Sequence, residues 1–86
     1  MSVADTLRTD LLTVARAYCE AKGMALSSLG LYIRKDSRYF GKLIAGETTM
    51  VAEVYDHCIQ WMSDGWPSKC RWPPHIARPA PKKETA

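Results

Sequence analysis

Every proline of this 86-residue chain lies beyond residue 66. Pro67, Pro73, Pro74, Pro79 and Pro81 all fall in the closing stretch DGWPSKCRWPPHIARPAPKKETA, which begins at Asp64. Proline has no backbone N–H and its ring clashes with the preceding turn, so that stretch cannot propagate a helix. The first 63 residues carry no such obstacle. The sequence therefore divides into a helical part, 1–63, and an extended basic Pro/Trp-rich tail, 64–86. Trp66-Pro67 recurs as Trp72-Pro73, and two copies are too few for a repeat architecture. Both tryptophans are expected to fold back on the small helical core, where each removes about 150–250 Å² from water. The final KKETA reads as disordered.

Within the helical part the apolar residues recur at helical spacing. Leu7, Leu11, Val14 and Tyr18, with Ala15 and Cys19 beside them, give an amphipathic helix over about 4–22. Asp5 suits its first turn and Gly23 stops it. Leu26, Leu29 and Ile33 form the stripe of a second helix, about 25–34. Gly30 sits inside that helix at a cost of up to about 1 kcal/mol relative to Ala, which implies close approach of another helix. Asp36 or Ser37 reads as the N-cap of a third helix over about 37–45, with Phe40, Leu43 and Ile44 inward and Gly46 as its stop. Thr48 or Thr49 reads as the cap of a fourth, about 50–63, whose stripe is Val51, Val54, Cys58 and Trp61 or Met62, with Tyr55 on its flank. The expected fold class is all-α, with four helices.

The net charge of +3 is distributed unevenly. Residues 1–30 are balanced. Residues 31–46 hold Arg34, Lys35, Arg38 and Lys42 against the single acid Asp36. Residues 47–63 hold only acids, Glu47, Glu53 and Asp56. The tail is basic again, through Lys69, Arg71, Arg78, Lys82 and Lys83. A charge run is often only a solvated face. Here, however, four cations surround a short apolar stripe on one predicted helix. With Phe40 and Leu43 inward, Ser37, Arg38, Gly41, Lys42 and Ala45 point outward. The spacing of Leu29, Ile33, Phe40 and Leu43 across a short link is that of a helix-turn-helix, whose second helix lies in the DNA major groove.

The stretch LSSLGLYIRKDSRYFGKLIAGETTMVAEV resembles the Cro- and lambda-repressor-like regulators, the XRE type. The resemblance rests on Leu29-Gly30, Ile33, the Phe40–Leu43 spacing and Gly46, and covers about 10–62. The chain is also similar to small bacterial and prophage regulators that share a C-E-x-x-G-M element, here Cys19 to Met24. Those regulators also share a WP…WP…RPAP tail, here Trp66-Pro67, Trp72-Pro73 and Arg78 to Pro81. It departs from the family at the turn, where Arg34 and Lys35 replace a Gly and an apolar residue. It departs again at Gly41, where relatives carry a polar or basic contact. The resemblance implies a lambda-repressor-like fold and sequence-specific binding of double-stranded DNA as a transcription regulator. Ser37, Arg38 and Lys42 are then the candidates for base edges, with Arg or Lys to guanine the commonest pairing. Arg34, Lys35 and the Thr48–Thr49 corner are the candidates for phosphates. A regulator of this kind is expected to engage its operator as a homodimer, reading two half-sites.

Other classes find little in the sequence. There is no apolar run of about 18 residues, hence no membrane span. MSVADTLRTD lacks the basic head and apolar stretch of a secretory signal, so the expected location is the cytoplasm. Cys19, Cys58 and Cys70 fit no zinc spacing, alone or with His57 and His75, and no cofactor is expected. Cys19 and Cys58 read instead as small apolar core residues. No Gly-rich phosphate loop and no nucleophile with a nearby base is present, which argues against an enzyme. The rival expectation is a protein-interaction module, an adaptor or anti-repressor on the same helical scaffold.

Overall fold

A computed structural model describes residues 3–80 and is all-α: the described residues contain four helices and no strand. The helices are α1, Val3–Lys22; α2, Leu26–Arg34; α3, Tyr39–Ala45; and α4, Ala52–Asp64. KKETA, Pro81 of the RPAP element, and the Lys82 and Lys83 charges lie outside the described residues. No described helix is long and apolar enough to cross a membrane.

Helix α1 packs along α4 and also touches α2 and α3, which pack on each other. In α1 to α3 the core contains most of the stripe the periodicity predicts, Leu11, Val14, Ala15, Tyr18 and Cys19 from α1, Leu29 and Ile33 from α2, Phe40 and Leu43 from α3, together with Tyr39, which lies outside it. Cys19 and Cys58 are both buried in it as free thiols. Burial of a side chain as large as Leu or Phe contributes about 1.5–3 kcal/mol. Leu11, Leu29, Phe40, Leu43 and Met62, all fully buried, are therefore the main apolar contribution.

Gly30 lies at the tightest point of this packing. A Cβ placed on it would sit 2.6 Å from the Asp36 carbonyl oxygen and 3.4 Å from a ring carbon of Phe40. No side chain fits there without moving backbone, which accounts for a glycine in the middle of a nine-residue helix. The close approach comes from the turn after α2 as well as from α3.

Several boundaries differ from expectation. Helix α3 begins at Tyr39, two residues later than the spacing predicts, and neither Asp36 nor Ser37 is its N-cap; that position is Arg38, with no side-chain cap. Asp36 instead closes the turn ahead of the helix, its Oδ1 accepting the Arg38 N–H at 2.9 Å. Ile44, expected inside, is 49% exposed, because seven residues of helix present only one narrow face to the core. Neither Thr48 nor Thr49 caps α4: its N-cap is Val51, which is extended and itself exposed. The buried stripe of α4 is accordingly Cys58, Ile59 and Met62, with Val54 and Trp61 partly buried, and Met50 fills the core from the preceding loop. Gly46 does end α3: at φ 77° it adopts the left-handed conformation that a side chain disfavours, and the Glu47 N–H reaches the Lys42 carbonyl at 2.8 Å.

The tail is irregular but not simply extended. Each Trp-Pro pair opens a compact turn of the same design. The Trp66 indole N–H donates to the Cys70 carbonyl at 2.7 Å, and the Cys70 N–H donates to the Pro67 carbonyl at 3.1 Å. Trp72 and Ile76 repeat this at 2.8 Å, with the Ile76 N–H to Pro73 at 3.2 Å. The two indoles lie against each other with centroids 4.7 Å apart, and Trp66 meets Tyr18 of α1 at 5.9 Å. Both tryptophans pack on the core, as expected, and Ile76 joins it at 5% exposure.

A second contact ties the tail to the end of α4. The last carbonyls of a helix have no partner inside it and carry partial negative charge. Helix α4 has no basic residue in its last turn. Arg78 supplies one from fourteen residues beyond its end. Its Nη2 donates to the Ser63 carbonyl at 2.9 Å and its Nε to the Ser63 hydroxyl at 3.0 Å. The buried Ser63 hydroxyl donates in turn to the Pro79 carbonyl at 2.7 Å. The Arg78 guanidinium also lies 5.4 Å from the Trp72 ring centroid, and Gln60 donates to the Ala80 carbonyl.

Candidate nucleic-acid interface

The turn between α2 and α3 sets the positions of the basic residues. Helix α2 ends with the Lys35 N–H on the Leu31 carbonyl at 3.0 Å and the Asp36 N–H on the Gly30 carbonyl at 3.3 Å. This terminus needs a left-handed residue, and Lys35 occupies it at φ 56°, ψ 33°. A basic residue with a Cβ thus closes this turn in a conformation that favours glycine, at a conformational cost. Lys35 and Arg34 are both exposed. The Arg34 guanidinium lies 5.4 Å from the Tyr39 ring centroid.

Asp36 organises the next residues. One carboxylate oxygen accepts the Arg38 N–H, and the other accepts from Lys42 Nζ at 3.3 Å. The Arg38 backbone N–H is the main influence holding the Asp36 carboxyl below the usual carboxylate range, and Lys42 adds to it. Ser37 and Arg38 are exposed in the turn, and Gly41, Lys42 and Ala45 are exposed along α3. The inner face of α3 is closed: Phe40 and Leu43 are fully buried and Tyr39 nearly so.

Of the seven candidate residues, the structure groups five, Arg34, Lys35, Ser37, Arg38 and Lys42, on the turn and the open face of α3. Thr48 and Thr49 stand apart, beyond Gly46 in the loop leading to α4, with Thr48 half-buried and Thr49 exposed. Two residues important to the arrangement escaped the spacing argument. Asp36 reads from the sequence as a candidate helix cap, whereas it lies in the turn before α3 and pairs with Lys42 in the middle of that helix. Tyr39 lies outside the predicted stripe of Phe40 and Leu43, but the closeness of Gly30 draws its Cβ under α2 and buries it. Its hydroxyl is buried with no hydrogen-bond partner among the described residues. Burial pushes the Tyr39 hydroxyl up in pKa, and burial likewise pushes the Cys58 thiol up to about 11.

No three His, Cys, Asp or Glu side chains among the described residues lie together as a metal site would require. Among the described residues, fold and surface define a small all-helical domain with a basic edge formed by the α2–α3 turn and the outer face of α3. Comparison of the chain with protein-family models, with curated proteins and with solved structures finds no match.

Proposed function

We propose that α2 and α3 form a helix-turn-helix unit of the lambda-repressor-like kind and that the protein binds double-stranded DNA sequence-specifically as a transcription regulator. The observation that carries the reading is the division of α3. Its inner side is sealed by Phe40 and Leu43, and its outer side presents Lys42, with Arg38 just before it and no bulky side chain at Gly41 or Ala45 to hinder approach. A short helix anchored on one side and basic on the other is what a major groove admits. Arg38, Lys42 and Ser37 are assigned to base edges, and Arg34 and Lys35 to phosphates. Thr48 and Thr49 are assigned to phosphates at the far end of α3. The sequence resemblance to Cro- and lambda-repressor-like regulators supports the same reading. In it the protein acts in the cytoplasm and occupies its operator as a homodimer, since one seven-residue helix reads only a few base pairs.

A protein-interaction module is the second reading. It is favoured by Leu31 and Tyr32, which are 54% and 62% exposed on α2.

Duplex binding across a salt series separates the two. Affinity for DNA falls steeply with salt because condensed counterions are released on binding. Arg38→Ala and Lys42→Ala are expected to weaken binding to a selected duplex by about 1–3 kcal/mol each, with little change in melting. Phe40→Ala is expected to lose roughly 3–5 kcal/mol of stability through the cavity it leaves. Binding that is absent at low salt, or indifferent to both surface substitutions, removes the DNA reading in favour of the interaction module.

A further inference from the structure

We propose that Asp36 is a specificity-determining residue of this interface: by holding Lys42, it keeps that cation from neutralising a backbone phosphate of arbitrary duplex. The proposal rests on the DNA reading above.

Asp36 is the one acid between residues 31 and 46, set among Arg34, Lys35, Arg38 and Lys42. Its side chain is 39% exposed, on the surface that would meet a polyanion. A carboxylate there opposes binding through the phosphates, so its presence calls for a reason. The turn does not supply one. Only Oδ1 serves the backbone, by accepting the Arg38 N–H. An asparagine oxygen makes the same turn without charge. The second oxygen is what the charge adds, and it is committed to Lys42 Nζ at 3.3 Å.

That pairing treats the two kinds of DNA contact differently. An ammonium has three donors. A guanine O6 or N7 is a neutral acceptor, and Lys42 can donate to it while keeping Asp36 as a partner. A phosphate competes for the same cation and brings a negative charge against the carboxylate, which repels it. The pair therefore discourages binding through the backbone alone and leaves base contact open. Specificity is a difference between two affinities, and weakening the unwanted one raises it.

Asp36→Asn tests this, since it keeps the turn acceptor and removes the charge. Affinity is measured across a salt series for a random-sequence duplex and for a duplex selected by the unaltered chain. Asp36→Asn is expected to tighten random binding by about threefold to tenfold at low salt and to steepen the slope of log K against log salt by about 0.9, one further phosphate. The ratio of selected to random affinity falls. The same substitution made on top of Lys42→Met is expected to leave the slope unsteepened, because the cation it would release is gone. An unchanged slope and ratio in Asp36→Asn overturns the proposal. So does an equal steepening in the Lys42→Met background, which would make Asp36 a plain negative charge with no hold on Lys42. If neither the unaltered chain nor Asp36→Asn retains any duplex at any salt, the DNA reading itself fails and this inference falls with it. Binding with an unaltered ratio sinks the inference alone.

Discussion

Lys35 carries the clearest conflict between local conformation and residue type. It is the one non-glycine residue with positive φ among the described residues. The left-handed conformation costs a residue with a Cβ about 1–2 kcal/mol, and glycine is spared it. Lys35→Gly therefore relieves strain, although the freer unfolded chain of a glycine variant returns part of the gain. A net stabilisation of about 0.5–1 kcal/mol is expected from denaturant melts, together with weaker, less salt-dependent duplex binding. Opposite signs for stability and affinity would identify a residue kept for its charge at the expense of its geometry. A destabilised variant would refute the strain argument. Cys58 allows a second test. Its thiol titrates near 9.0 when unperturbed, and burial raises this to about 11 in the fold. The folded state thus retains the proton after the unfolded chain has lost it. Stability from this group is full below pH 9 and declines as pH rises towards 11, by roughly 2–3 kcal/mol. Burial moves the Tyr18 and Tyr39 hydroxyls in the same direction, so they add to the loss at the upper end. Urea melts between pH 8 and 11 measure the decline. Cys58→Ala lowers stability throughout but flattens that slope, and a slope unchanged by the substitution would remove Cys58 as its source.

At the scale of elements, the helices were legible because apolar spacing is set by the same geometry that buries them. The stripes of α1 and α2 could be read residue by residue from Leu11 to Ile33, and that of α3 at Phe40 and Leu43 but not at Tyr39. What escaped were positions decided by neighbours distant in sequence or by very short helices. Ile44 continues the apolar pattern of α3, yet a two-turn helix cannot turn that residue inward. Thr48 and Thr49 are good capping residues, but the loop from Gly46 passes them and buries Met50, so α4 starts later, after Val51. Among the candidate site residues, the exposure of the basic ones could be read from the sequence because charge and exposure go together. The pairing of Asp36 with Lys42 was not, since it depends on where α3 begins. Gly30 belongs to the legible part, because a costly glycine inside a helix points to crowding. Gly30→Ala is expected to destabilise the fold by roughly 1–3 kcal/mol, the usual range for overpacking. The better helix propensity of Ala, worth up to about 1 kcal/mol, is too small to offset it. Thermal melts decide, and a variant as stable as the parent would mean that α2 and the Asp36 turn can separate without loss.

At the scale of the whole molecule, the tail closes a core that the four helices leave incomplete. Proline content identified where helix stops, but the fate of the following residues depended on surfaces made by α1 and α4 together. Tyr18 and Trp61 lie 5.7 Å apart between centroids, and Trp66 and Trp72 extend that aromatic cluster. Ile76 is buried, and burying one such side chain contributes about 1.5–3 kcal/mol. Arg78 adds charge-assisted bonds to the Ser63 carbonyl, which otherwise has only the long 3.4 Å contact from the Trp66 N–H, and to the Ser63 hydroxyl, which itself donates to the Pro79 carbonyl. Prolines reduce the freedom the segment loses on docking, so little of this gain is cancelled. Removal of residues 65–86 is therefore expected to cost at least about 3 kcal/mol, the joint loss of Ile76, two half-buried indoles and the Arg78 latch. Ser63→Ala is the milder companion, because it deletes the hydroxyl while leaving the Ser63 carbonyl for Arg78. It is expected to cost about 1–2 kcal/mol through the unpaired Pro79 carbonyl. Urea titration of the two variants gives the comparison, and tryptophan emission in the full-length Ser63→Ala protein reports whether the indoles become wetter. A truncated chain that melts with the parent would show that the helices hold themselves together and that the tail merely rests on them.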